Sequence, residues 1–135
     1  MKLLKSESAR THPLNLSDFF NILIDHYEFE NYLELGIDKA NTFQAVKCNN
    51  KVSVDVTQNE HNAKYLTYCM STDSFFAEKR WQRDPLHRRR KFDLIFIDAD
   101  HRDAAVTRDI HNSLQHLSEN GIIVTHDALP VKHVH

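Results

Sequence analysis

The stretch Phe92-Asp93-Leu94-Ile95-Phe96-Ile97-Asp98 decides the fold. Its apolar run is nearly continuous, and a strand apolar on both faces must be covered on both faces. Downstream, Val106, Ile110, Leu114 and Leu117 recur at helical spacing, and Asp100 and Asp103 precede them at capping-box spacing. Asn120-Gly121 closes that helix, the glycine serving as its left-handed terminator. Ile122-Ile123-Val124-Thr125 follows as a final apolar strand and runs into His126-Asp127.

Upstream, Tyr32-Leu33-Glu34-Leu35 reads as a buried strand that turns at Gly36, and helical residues resume through Phe43, Ala45 and Val46. Lys51-Val52-Ser53-Val54-Asp55-Val56 is β-branched and reads as a second strand. Residues 57–64 form a polar loop, residues 65–70 a third candidate strand, and Thr72-Asp73-Ser74-Phe75-Phe76 opens a short helix. Asn15 and Asp18 have capping-box spacing ahead of an amphipathic helix bearing Leu16, Phe19, Phe20, Leu23 and Tyr27. Alternation of helices with buried strands predicts an α/β layered domain with a mainly parallel sheet. Residues 1–14 contain Pro13 and show no period, so they read as a flexible arm, leaving 15–135 as a single domain. Residues 79–91 are charged, contain Pro85 and read as a surface loop.

The chain has 135 residues, 41% hydrophobic and 27% charged, which excludes a disordered or collagen-like polymer. A net charge of −2 provides no whole-molecule attraction to nucleic acid. No apolar run approaches the roughly 18–20 residues that span a bilayer. Met1-Lys2-Leu3-Leu4-Lys5-Ser6-Glu7 lacks the apolar core of a secretory signal. With only Cys48 and Cys69 available, a cytoplasmic location is the expectation. Both cysteines lack ligand partners nearby and read as small buried hydrophobes.

Ligands of parallel α/β sheets bind outside the carboxyl ends of the strands. Here successive candidate strands end at or near Glu34, Asp55, Asp73, Asp98 and His126-Asp127. Asp55 closes the second strand, where an acid can accept both ribose hydroxyls of a nucleotide. The turn Gly36-Ile37-Asp38-Lys39-Ala40-Asn41 lacks the Gly-x-Gly-x-x-Gly pattern for close approach to a pyrophosphate. A nucleoside without phosphates therefore suits the rim better than a dinucleotide.

These residues resemble a known family. Tyr32-Leu33-Glu34-Leu35-Gly36 with Thr42-Phe43 and then Val54-Asp55 is similar to the opening of a class I S-adenosylmethionine-dependent methyltransferase. Met70-Ser71-Thr72-Asp73-Ser74-Phe75-Phe76 resembles that family's adenine-side segment. Phe92 through Asp98, with His101, Val106, Arg108-Asp109-Ile110 and Leu117, resembles its fourth strand and following helix. Residues 120–127 resemble its fifth strand. The subgroup is the small methyltransferase-24 type, and order and spacing carry the likeness, which spans roughly residues 30–130.

The resemblance implies a Rossmann-like three-layer sandwich and S-adenosyl-L-methionine as cofactor. It places Glu34 and Gly36 at the methionine part, Asp55 at the ribose, and Asp73 at the adenine with Met70 and Phe75 beside it. It puts Asp98 near the methyl donor and His126 or Asp127 toward a small-molecule acceptor. A base is needed only for a hydroxyl acceptor, for which His101 and His126 are the candidates. Ile97-Asp98-Ala99-Asp100 also resembles the metal-binding strand end of catechol-type O-methyltransferases, which makes Asp98 and Asp127 the ligands of an optional Mg²⁺ site. Ala128 stands where that metal set has a further ligand.

Two further departures shape the expectations. Ala40 stands where the family usually has a second glycine. The family fold also continues into a final antiparallel hairpin, for which this chain has no counterpart by His135. Residues 122–124 would then lie on a sheet edge, to be covered by residues 128–135 or by a homodimer. The alternatives are a non-catalytic or truncated binding module, an NAD-linked oxidoreductase resting on Asp55, and an RNA-binding protein using Arg88 to Arg90 with Trp81 as a stacking partner. No zinc pattern appears among the ten histidines, and no nucleophile elbow surrounds Ser17, Ser71 or Ser74.

Overall fold

A computed structural model describes residues 2–5, 15–85, 90–99 and 102–126. Their elements are β1 (Lys2–Lys5), α1 (Leu16–Tyr27), β2 (Asn31–Leu35), α2 (Asn41–Ala45), β3 (Asn50–Asp55), β4 (Tyr68–Cys69), α3 (Thr72–Glu78), β5 (Phe92–Ile97), α4 (Asp103–Leu114) and β6 (Leu117–Thr125). The sheet runs β1-β6-β5-β2-β3-β4. Every pairing is parallel, so the Rossmann-like α/β reading holds.

Each central strand is buried on both sides because its alternate residues enter two different cores. On one face Tyr32, Leu94, Phe96, Ile122 and Val124 pack with Phe20 and Ile24 of α1 and Phe43 of α2. On the other, Leu33, Leu35, Val54, Ile95 and Ile123 pack with Phe75 and Phe76 of α3, and Ile110 of α4 lies against them. The α1 start carries the predicted capping box: Asn15 accepts from the Asp18 amide, and Asp18 reaches back to the Asn15 amide.

Five sequence expectations need correction. Lys2–Lys5 form an edge strand in register with Ile122–Thr125, so this part of the presumed arm is sheet. Its four residues are too few to show a period, and the open edge of β6 supplies the pairing. A dimer through that edge would therefore have to form on β1. Trp81, read as a loop aromatic, is fully buried in a 3-10 turn (Arg80–Gln82), stacked on Phe75 at 4.5 Å between centroids. It is core, and no base can stack on it.

Gly121 does not terminate α4, whose C-cap is Gln115. It lies inside β6, where the register against β5 shifts between Phe92 and Leu94. A Cβ there would come 2.6 Å from Leu117 Cδ1 and 3.0 Å from the Asp93 carbonyl, so the glycine serves close packing. Finally, α4 begins at Asp103 with Arg102 as N-cap and no side-chain cap bond, and Asp100 lies outside the described residues. Cys69 is exposed and Cys48 half-buried, so neither is a fully buried hydrophobe. No helix among the described residues is long and apolar enough to cross a membrane.

Candidate functional site

Parallel pairing brings the strand ends to one rim. The Gly36 amide donates to the Val54 carbonyl (2.7 Å), Met70 to Asp55 (3.0 Å), Asp98 to Leu35 (2.8 Å) and His126 to Ile97 (3.0 Å). Beside these ends opens a cleft of about 1010 Å³. Gly36, Asp55, Met70, Asp73 and Asp98 all line it, so five of the predicted site residues converge there.

Gly36 has φ +86°, a conformation that costs an L side chain about 1–2 kcal/mol. A Cβ at Gly36 would also fall 2.5 Å from Ala99 Cα and 2.6 Å from the Asp98 carbonyl. The turn after β2 therefore touches the turn after β5 backbone to backbone. Ala40, at the position the resemblance marks as glycine, is buried with φ +66°. The chain thus keeps the left-handed turn with an alanine in it.

Asp55 has a structural task. One carboxylate oxygen accepts from the Ile37 (2.9 Å) and Asp38 (3.1 Å) amides, and the other from the Thr57 amide (3.0 Å). It thereby joins the loop after β2 to its own. Buried Asn62 reinforces this join by donating to the Asp38 and Thr57 carbonyls, each at 2.9 Å. Asp38, missed by sequence reading, reaches the cleft with φ +47°.

Glu34 and Phe75 do not line the cleft. Phe75 belongs to the core with Trp81 and Tyr68. Glu34 is 2% exposed and accepts from the Tyr32 hydroxyl at 2.5 Å. Burial, opposed by the Tyr32 hydrogen bond and supported by the charges of Asp98 and Asp55, pushes its carboxyl up to about 8. Glu34 is therefore mostly protonated at neutral pH, and Tyr32, itself pushed up by burial and by Glu34, remains a donor.

Asp98 has the imidazole of His126 beside it, Nδ1 to Oδ1 3.6 Å, and both are partly exposed at the rim. His101 and Asp127 lie outside the described residues, as do residues 86–89 of the basic loop. On the far wall, Asp73 meets Arg108 at 3.4 Å, and Arg102 and Ala105 also face the cleft. The α4 contribution was legible only as a helix face, since nothing in the spacing of Arg102 and Arg108 announces a ligand.

Four carboxylates, Asp38, Asp55, Asp73 and Asp98, face one cleft. Arg102 and Arg108 face it too, so the acids outnumber the guanidiniums and the lining favours a cationic ligand over a pyrophosphate. Of the two expected Mg²⁺ ligands only Asp98 is among the described residues, and they lend the metal no support. Among the described residues no group of three or more potential ligands occurs, and Asp98 neighbours an imidazole where an oxygen-rich shell is required. The residues do fit a nucleoside sulfonium, with carboxylates for its charge and hydroxyls and with Val56 and Met70 as apolar surface.

A family model described as a methyltransferase domain matches residues 22–128. The search of curated proteins finds no match.

Proposed function

The chain belongs to the methyltransferase domain family, and from that membership we propose that it uses S-adenosylmethionine to methylate a small hydroxylated acceptor. The observation that carries this reading is the convergence of four carboxylates around the Gly36 turn, at the carboxyl rim of a parallel sheet. When bound, the cofactor supplies an electrophilic methyl group on a sulfonium. The chain's own work is to bind and orient. The Gly36 turn gives close backbone approach, Asp55 offers its remaining lone pairs to the ribose, and Asp73 with Met70 borders the base. His126, held near Asp98, takes the hydroxyl proton of the acceptor. Positioning supplies most of the rate, since an in-line transfer needs two reactants aligned more than it needs acid or base.

A second reading has its own observation. Asp55 already accepts three backbone amides, so a rim acid can be retained for loop structure in a protein that binds without turnover. Calorimetry with S-adenosylhomocysteine tests the first reading. Saturable binding that weakens by roughly ten- to a hundredfold in Asp55→Ala is expected, the effect of losing charge-assisted hydrogen bonds. Absence of heat in wild type overturns it. Binding together with inactivity toward a panel of hydroxylated acceptors favours the second.

A further inference from the structure

We infer that Asp109 is a positioning residue of the cleft: its buried carboxylate holds the Thr72 hydroxyl and so fixes the start of α3 against α4. The ligand side of this inference rests on the cofactor reading above.

The inner face of α4 buries Ala105, Val106, Asp109 and Ser113. An acid in that row is costly, because a carboxylate leaves water unwillingly and core packing has no use for its charge. Asp109 is nevertheless 1% exposed, and the Thr72 hydroxyl donates to its Oδ1 at 2.6 Å. Thr72 is the first residue of α3. Its flanking residue Ser71 caps the helix by accepting the Ser74 amide at 3.0 Å. Ser71, Thr72 and Asp73 all face the cleft.

One residue along from Asp109, Arg108 crosses to Asp73 at 3.4 Å. Two adjacent rungs thus join the two helices on the same wall. They are unequal. The Arg108–Asp73 rung is more than half exposed on both sides and is screened by water. The Asp109–Thr72 rung is short and its acceptor is buried, so it sets the spacing. Asp109 does not itself line the cleft, and its effect on a ligand passes through Thr72 and the residues beside it.

The test is a double-mutant cycle read by calorimetry with S-adenosylhomocysteine, using wild type, Asp109→Ala, Thr72→Val and the double variant, with Asp109→Asn as rescue. Each single variant is expected to weaken binding about tenfold, and the double variant also about tenfold. Asp109→Asn keeps an oxygen acceptor and stays within about threefold of wild type. A hundredfold loss in the double variant overturns the inference, because Thr72 and Asp109 then act separately. Unchanged affinity in a folded Asp109→Ala also overturns it. Should Asp109→Ala fail to fold, Thr72→Val decides alone: about tenfold weaker binding supports the inference and unchanged affinity overturns it.

If wild type binds no S-adenosylhomocysteine, the cofactor reading fails and hydrogen exchange decides the inference alone. Faster exchange at the Ser74 and Phe75 amides in Thr72→Val, with α1 unchanged, supports it. Uniform exchange across the two proteins overturns it.

Discussion

Glu34 makes stability depend on pH in a direction opposite to that of most acids. An ordinary glutamate titrates near 4.5, whereas this one is pushed up to about 8 by burial. Between those values the native state keeps a proton that the unfolded chain has released. Stability must then fall as pH rises, by about 1.4 kcal/mol per unit across the interval. From about pH 5.5 to about 7.5 the loss reaches roughly 2–3 kcal/mol, a large share of a small domain's stability.

His116 works the other way. Burial, with Lys79 and Lys91 nearby, lowers its pKa, so its contribution improves as pH rises through the unfolded value near 6.5. A bare pH profile mixes the two. The discriminating perturbation is Glu34→Gln, which keeps the volume and can still accept from Tyr32. Urea denaturation of both proteins across this range, with the difference plotted against pH, isolates the carboxyl. The gap should move in favour of the variant as pH increases. A gap independent of pH would refute the raised Glu34 pKa and the protonated Tyr32–Glu34 pair.

Gly36→Ala combines a left-handed φ with a Cβ 2.5 Å from Ala99 Cα, so it should cost more than about 3 kcal/mol in urea denaturation; a loss under 1 kcal/mol would show that the two turns separate freely. Ala40→Gly relieves about 1–2 kcal/mol of backbone strain, but it surrenders a buried methyl worth about 0.8 and adds unfolded-state entropy. Its stability should stay within about 1 kcal/mol of wild type, and a gain or loss of twice that would mean one of these effects is misjudged. His126→Ala should lower turnover by about a hundredfold or more while leaving S-adenosylhomocysteine affinity unchanged. Equal loss of both assigns the imidazole to holding the rim.

The strands were legible where hydrophobicity alone dictates them. Phe92–Ile97 had to be central, residues 122–125 had to be an apolar strand though their inner position beside β1 was not foreseen, and Gly36 had to be a turn. Rim acids were legible as well, because strand direction and strand ends together specify one edge. Side-chain destination was harder to read. Glu34 follows Tyr32 by two, so strand alternation alone sends both to the same buried face, away from the cleft that motif likeness suggested. Trp81 sits in a charged stretch whose local composition conceals a core anchor. Gly121 follows an asparagine after a helical face, a terminator pattern that a strand irregularity imitates. Lys2–Lys5 carry almost no local signal, since their strand exists only through a partner far along the sequence. Asp109 was visible as a letter in a motif, but its task depends on a contact between two helices.

Pairing of Lys2 with Ile122 has a consequence for synthesis. The strand at Lys2–Lys5 waits for residues 122–125, while every other neighbouring pair in the sheet is separated by less chain. The nascent protein must therefore carry β1 as an unmatched hydrogen-bonding edge until residues 122–125 have been made. A bulky fusion placed ahead of Met1 would load the slowest seam to close, whereas one inserted in the polar stretch after Val56 would leave that seam alone.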